Sequence, residues 1–252
     1  AELSGVVEAV GHKATRFKPG DQVFAYPGPA FGAHAEYIRL PEKGMLALKP
    51  SNLSHGEAAT MAYGASTALG LLQTARIKPG KKVLILGASG GIGSFALQIA
   101  KYQGAHVTGV CSTLRMDLVH ELGADQVIDY TKEDFTAQGA QYDLILDILG
   151  KSSFACVKSS LAPKGVYQRA SFKSLHLLQM LWTGFFGGKR VRCRLALDKP
   201  SNLDTVRELA EKGAVRSIID QTFPLDQVAE AHRYVEQGRK RGAIAIAVAD
   251  GA

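Results

Sequence analysis

A chain of 252 residues with 46% hydrophobic composition holds enough apolar material for one large or two modest cores, and it has no internal repeat or low-complexity tract. Its net charge of +7 suits an anionic ligand. The one dense basic cluster, residues 189–194, alternates like a strand with one charged face, which argues against nucleic acid as a partner. Cys111, Cys156 and Cys193 form no C-x-x-C, which argues against a disulfide scaffold or a structural zinc cluster and for a reducing, cytoplasmic compartment. No run reaches the roughly 18 apolar residues of a membrane span. The nearest, 175–186, contains His176, Gln179 and Thr183. No signal peptide is visible, but the chain opens inside a strand, so the reading expects an N-terminal portion, with any targeting sequence, to lie outside it.

Strands are predicted first at 3–10, 22–25, 33–39 and 45–49, separated by the turn signals Lys18-Pro19-Gly20-Asp21, Pro27-Gly28-Pro29 and Pro41-Glu42-Lys43-Gly44. Ser54-x-x-Glu57 is a capping box that opens a helical stretch, apolar from Ala58 to Leu72. Alternation then sets in. Strands are predicted at 83–86, 106–110, 126–129, 143–147, 165–169 and 191–196, with helices at 92–103, 114–122, 152–161 and 202–212. That rhythm means a doubly wound parallel sheet with right-handed crossovers. A helix to about Glu236 follows Pro224, and a last strand, 243–249, is expected to join the N-terminal β region.

The segment from Lys82 to Ala100 carries the most information. An apolar strand runs into Gly87-Ala88-Ser89-Gly90-Gly91-Ile92-Gly93 and then into a helix. Glycines let the backbone approach a pyrophosphate, and unpaired N–H groups at a helix start face the anion. The core Ala88-x-Gly90-x-x-Gly93 has alanine where the usual fingerprint has its first glycine, but its strand–turn–helix context is the one a dinucleotide site requires. The next strand ends in Cys111-Ser112-Thr113, with Arg115 beyond. No carboxylate stands there to select a free ribose 2′-hydroxyl. Two hydroxyls and a guanidinium suit a 2′-phosphate, so the sequence favours NADPH. Ser112 and Thr113 also read as caps of the following helix, a role compatible with phosphate binding.

Further pieces are Gly5-Val6-Val7-Glu8-Ala9-Val10-Gly11, Phe17-Lys18-Pro19-Gly20-Asp21-Gln22-Val23, Gly32-Ala33-His34-Ala35-Glu36-Tyr37, Ser66-Thr67-Ala68-Leu69, Leu122-Gly123-Ala124-Asp125-x-Val127-Ile128-Asp129-Tyr130 and Gly238-Arg239-Lys240-Arg241-Gly242-Ala243. With the glycine turn, they make the chain resemble the medium-chain dehydrogenase/reductase superfamily, in its zinc-independent quinone oxidoreductase-like branch. The resemblance spans essentially the whole chain. It implies an α/β fold: a Rossmann doubly wound parallel sheet plus an incomplete GroES-like β domain. The expected divisions are 1–53 for the partial β domain, 54–224 for the NADPH-binding domain and 225–252 for a return to the β domain.

The resemblance also implies site residues. Arg115 and Tyr130 match a basic residue and a tyrosine at the 2′-phosphate, and Ser112 a small hydroxyl beside it. Tyr130 also reads as an aromatic packed at a strand end. Thr67 matches a threonine by the nicotinamide, and Ile148, Leu149 and Gly150 a turn near the ribose. Ala88, Ser89, Gly90, Gly91, Ile92 and Gly93 would hold the pyrophosphate, with Thr113 at the phosphate exit. Zinc relatives carry a catalytic cysteine just before Ser66-Thr67-Ala68-Leu69, but here Met61-Ala62-Tyr63-Gly64-Ala65 has no thiol, and residues 20–45 contain no cysteine. Without a Lewis acid an alcohol keeps a high pKa, so reduction of an electrophilic acceptor is favoured.

The expected activity is zinc-free, NADPH-dependent reduction of a small hydrophobic quinone or α,β-unsaturated carbonyl. Alternatives are another zinc-free alcohol dehydrogenase or reductase of the superfamily, or a non-catalytic NADPH-binding protein. Tyr63 is the candidate to bond the developing oxyanion, with packing at a domain interface as its other reading and water as the other acid. A homodimer is implied by resemblance alone. The apolar segment 171–190 reads as a substrate cover, a membrane contact, a dimer interface or ordinary core.

Overall fold

The computed structural model describes residues 2–171, 174–185, 188–193, 199–238 and 240–248. In chain order its elements are β1 (Leu3–Val6), β2 (Gln22–Ala25), β3 (Leu46–Leu48), α1 (His55–Ala59), α2 (Ala62–Ala75), β4 (Lys82–Leu86), α3 (Gly93–Tyr102), β5 (His106–Cys111), α4 (Met116–Glu121), β6 (Gln126–Asp129), β7 (Tyr142–Asp147), α5 (Phe154–Val157), β8 (Leu161–Arg169), α6 (Ser174–Phe185), β9 (Arg190–Cys193), α7 (Pro200–Glu211), β10 (Ile219–Pro224), α8 (Val228–Glu236) and β11 (Ala243–Ala247). They fall into two compact units: Ala1–Ser66 with Asp198–Ala252, and Thr67–Leu197.

In the first unit, β1, β2 and β3 form an antiparallel sheet in that order. Val23, Ala25 and Leu46 make its core, with Leu3, Val7, Phe17 and Leu40 against them. Ser54 and Glu57 cap α1 reciprocally, as the spacing foretells. The predicted strand at 33–39 does not form. Phe31 and Gly32 turn the chain through positive φ, and the alanines that follow are too small to anchor a paired strand. β1 stops at Val6 because β2, its ladder partner, begins at Gln22.

Residues 198–224, assigned from sequence to the nucleotide domain, pack with this first unit. Asn52 Nδ2 donates to the Ala210 carbonyl (2.9 Å) and the Ser51 N–H to Glu211 Oε1 (3.1 Å), which ties the end of α7 to the loop after β3. The strand–helix rhythm continues past β9 without a compositional break, so the sequence does not mark the change of packing partner. β11 does not join the sheet of β1, β2 and β3: it pairs in parallel with β10, a strand not assigned from sequence, in a separate two-stranded sheet of the first unit.

The second unit is built on six parallel strands in the order β6-β5-β4-β7-β8-β9. The strands are nearly continuous apolar runs because helices cover both faces of such a sheet. Leu84, Ile85, Ile145, Leu146 and Tyr167 are almost wholly buried. Each aliphatic of this set stabilises the fold by about 1.5–3 kcal/mol. β8 starts four residues earlier than predicted and α5 shrinks to a single turn, against a predicted helix over 152–161. Pro163 reads as a strand breaker, but a register shift and the positive φ of Lys164 absorb it. Residues 194–196 of the predicted last strand lie outside the described residues.

Candidate dinucleotide site

The strand order reverses between β4 and β7, which both start from the middle of the sheet and are followed by chain running to opposite sides. In open sheets of this kind ligands sit outside the carboxyl ends of the strands at such a switch point. Leu86 and Asp147 are paired in register as the last residues of the two strands, so the turns beginning at Gly87 and Ile148 emerge side by side. The Ile148 N–H reaches the Leu86 carbonyl at 3.4 Å. Leu149, largely exposed, lies against Gly87: a Cβ on Gly87 would sit 3.0 Å from its Cγ.

The turn after β4 needs its glycines for different reasons. Gly87, not the fingerprint's first position, takes the left-handed conformation (φ +87°). Sequence reasoning passed over it, although a Gly one residue before the alanine was the available signal. Ala88 is fully buried, and its methyl occupies space that Gly109 leaves on β5; a Cβ there would lie 3.0 Å from it and 2.5 Å from Val119. At Gly93 a Cβ would come within 2.0 Å of the Gly87 carbonyl oxygen, so no side chain fits. Ser89 is half-buried, whereas Gly90 and Gly91 are exposed, and a Cβ on Gly91 would meet nothing within 4 Å. The helical ladder starts with the Ser94 N–H bonding the Gly90 carbonyl (2.9 Å), leaving the amides of Gly91, Ile92 and Gly93 ahead of it, as at any helix start. Open space over glycine beside amides at a helix origin fits a pyrophosphate.

At the next strand exit the Arg115 N–H bonds the Ser112 carbonyl and the Tyr130 N–H bonds the Cys111 carbonyl. This brings Ser112, Arg115 and the exposed Tyr130 to the carboxyl edge of β5 and β6. The Ser112 side chain caps nothing. Two expectations are corrected here. The Thr113 hydroxyl donates to Asp129 Oδ2, so it is engaged with protein and not with an open phosphate site. A carboxylate does stand at this exit, supplied by the parallel neighbour β6 and not by β5: Asp129 is paired in register with Cys111 and is buried. Bonds from Thr113 and then Thr131 hold its carboxyl down at about 2, with Lys132 Nζ at 3.7 Å.

The turn after β7 is clamped. Asp147 Oδ1 accepts from the Gly150 N–H (2.7 Å) and Oδ2 from the Tyr167 hydroxyl (2.7 Å) and the Ser152 N–H (3.2 Å). Buried Arg169 bonds the Ser152 carbonyl, the Tyr167 oxygen and, at 2.7 Å, the Gly150 carbonyl. Burial and the Asp147 carboxylate push the Tyr167 phenol upward, so it stays a donor. This network was missed from sequence, because its members come from two strands and a loop.

Thr67 lies on α2, which is held to β8 by Gln168 Nε2 bonding the Leu71 carbonyl (2.8 Å). Its Oγ1 is buried with no hydrogen-bond partner. Leaving a buried hydroxyl unpaired costs about 1–3 kcal/mol, and among the described residues the Tyr142 hydroxyl and Arg207 Nε are buried in the same way. Within the first unit, Tyr63 starts the same helix and is partly exposed, its ring 4.7 Å from that of Tyr26. Its N–H donates to Glu2, whose enclosed carboxyl is pushed upward by burial although the residue as a whole is partly exposed. Glu2 was not singled out from sequence. Among the described residues no His, Cys, Asp and Glu cluster could hold a metal ion, and no helix is long and apolar enough to cross a membrane.

Comparison with known proteins agrees with this geometry. Residues 1–51 match the alcohol dehydrogenase GroES-like domain, and residues 122–246 match the family described as zinc-binding dehydrogenase. The chain is 35% identical to the mitochondrial NAD(P)H oxidoreductase RTN4IP1 of Bos taurus, over 98% of this chain and 69% of that protein. It is 33% identical to the chloroplastic NADPH-dependent alkenal/one oxidoreductase of Arabidopsis thaliana, over 97% of this chain and 62% of the relative. A solved quinone oxidoreductase from Coxiella burnetii superposes with a TM-score of 0.87 at 26% identity, covering 98% of this chain and 78% of that one. The glycine turn at the switch point, the fold of both units and these matches together place the chain in the medium-chain dehydrogenase/reductase family, as an oxidoreductase that works with a nicotinamide dinucleotide.

Proposed function

We propose that this protein reduces a quinone or an α,β-unsaturated carbonyl with NADPH and without zinc. The observation that carries this reading is the open glycine turn beside the clamped 147–152 loop, within a unit whose Thr67 hydroxyl is buried and unpaired. The relatives named for NADPH-dependent alkenal/one and quinone reduction support the acceptor class.

The nicotinamide, when bound, supplies a hydride. The chain's own residues do the rest. Ser89, Gly90, Gly91, Ile92 and Gly93 hold the pyrophosphate through backbone N–H groups. Ala88 is too deeply buried for direct contact and supports the turn from beneath. Ser112, Arg115 and Tyr130 receive the 2′-phosphate, while the Thr113 hydroxyl is bonded to the Asp129 carboxylate. Ile148, Leu149 and Gly150 border the ribose. Thr67 would orient the nicotinamide, and the Tyr63 hydroxyl would bond the acceptor's oxygen as charge grows on it. Water provides the proton that completes a hydroquinone or ketone. A zinc-free route is supported by the donor set: residues 61–65 offer no thiol.

The test is nicotinamide absorbance with purified protein, NADPH or NADH, and a panel of quinones, enones and saturated ketones. Turnover of quinones or enones with NADPH, undiminished by a chelator, is expected. Tight NADPH binding with no turnover on any acceptor would overturn the reading, as would turnover that disappears on metal removal.

A further inference from the structure

We propose that the outward face of α6, with the basic surface around it, docks on an anionic lipid bilayer. The helix is amphipathic in an unusual direction. Its inner side is anchored: the Thr183 hydroxyl accepts from the Val191 N–H (3.1 Å), Met180 packs on the sheet core, and the His176 carbonyl accepts from Cys193 Sγ. That leaves Leu175, Leu178, Trp182 and Phe185, spaced at three and four residues, on the outer side with Leu181 between them. All five are exposed, Trp182 at 62% and Phe185 at 86%. Leu175, Leu178 and Trp182 also border an apolar cleft against Phe154 of α5. A contiguous apolar stripe of this kind marks a contact surface.

Charge decides between occupants. Residues 148–197 contain nine Lys and Arg and not one Asp or Glu, whereas the other 202 residues carry twenty-one basic and twenty-three acidic. Of these nine, Arg169 is buried beside Asp147, so the surface charge of this segment comes from its exposed cations. Lys151, Lys158, Lys164 and Arg190 are exposed, and Lys189 Nζ bonds the Lys158 carbonyl at 2.7 Å beside the sheet edge. A second copy meeting this face through a two-fold axis would set the same cations against themselves. An anionic bilayer complements both features, taking the aromatic and aliphatic stripe into its interface and the lysines at its headgroups. With twelve residues α6 is too short to span and would lie in the membrane plane. The inference does not depend on the acceptor proposed above.

Trp182 is the only tryptophan in the chain, so its fluorescence reports on this helix alone. The experiment mixes the full chain with phosphatidylcholine vesicles, with or without phosphatidylserine, and follows emission and co-flotation. The expected result is a shift to shorter wavelength and several-fold more vesicle-bound protein with phosphatidylserine, weakened by salt. Leu178→Glu with Phe185→Glu, both on the exposed side, should abolish flotation while leaving circular dichroism and thermal unfolding unchanged. Lys158→Glu with Arg190→Glu, which leaves the stripe intact, should reduce it several-fold. Absence of binding to either vesicle overturns the proposal. So does binding equal on both vesicles, or an emission shift that instead follows protein concentration and a dimer in sedimentation.

Discussion

Gly93 has no tolerated replacement, because the added methyl would lie 2.0 Å from the Gly87 carbonyl oxygen and that oxygen already accepts the Gly90 N–H. Gly93→Ala should destabilise the fold by about 1–3 kcal/mol, as overpacking does, and should weaken dinucleotide binding further than that. Urea titration and isothermal calorimetry separate the two effects. Thr67 behaves oppositely. Its hydroxyl has no protein partner, so Thr67→Val should leave the ligand-free protein as stable or about 1 kcal/mol more stable. The same change should weaken cofactor binding about tenfold, the worth of one hydrogen bond. Equal binding by the variant would remove Thr67 from the site. Arg115→Ala should weaken NADPH by about tenfold to a hundredfold through loss of a charge-assisted bond, while NADH is nearly unaffected. An equal loss for both cofactors would contradict the phosphate contact.

Elements impose constraints that no single residue shows. β7 and β8 jointly hold the loop that borders the ribose, since Asp147 ends one strand and Tyr167 and Arg169 end the other. Asp147→Ala would leave the buried Arg169 guanidinium without its carboxylate at 4.0 Å, and it should cost about 3–5 kcal/mol. Tyr167→Phe keeps that charge pair and should cost less, with its larger effect on cofactor affinity through a loosened Gly150. Chemical denaturation with cofactor titration distinguishes the two variants. β5 and β6 show the same cooperation. β5 itself carries no acidic residue, but register pairing brings Asp129 across from Cys111. Strand neighbours are 18 residues apart in the chain there, and nothing in the local pattern announces the meeting. The alanine in the fingerprint is the reverse case: Ala88 is legible as a departure, but only the space over Gly109 explains why it is harmless.

Across the whole molecule, depressed carboxyls tie stability to pH. Asp129 is held at about 2 by Thr113 and Thr131. At Asp125 and Asp143 burial opposes ionisation, but bonds from Lys101 and the Val107 N–H, and from Lys81 and the Lys82 N–H, outweigh it and lower both. A folded value below the unfolded one means that the stabilisation is fully present above about pH 4, the unfolded range, and is lost as pH falls through the folded values. The urea midpoint should therefore drop between about pH 4 and pH 2. Thr113→Val should raise Asp129 in the folded protein, so that stability at neutral pH falls and the acid drop becomes smaller.

At this scale the division between chain and fold is plain. The apolar runs of β4, β5 and β7, the glycine turn and the Ser54 capping box are local signals. Alternation, backbone freedom and capping act over a few residues, so these features were readable in order. The pairing of β10 with β11, the packing of α7 on the first unit, the carboxylate beside Thr113, the Asp147–Tyr167–Arg169 clamp and the outward turn of the apolar side of α6 were decided in three dimensions. Each depends on which distant segment arrives as a neighbour, and burial, register and charge pairing are properties of that encounter, not of the residues taken singly.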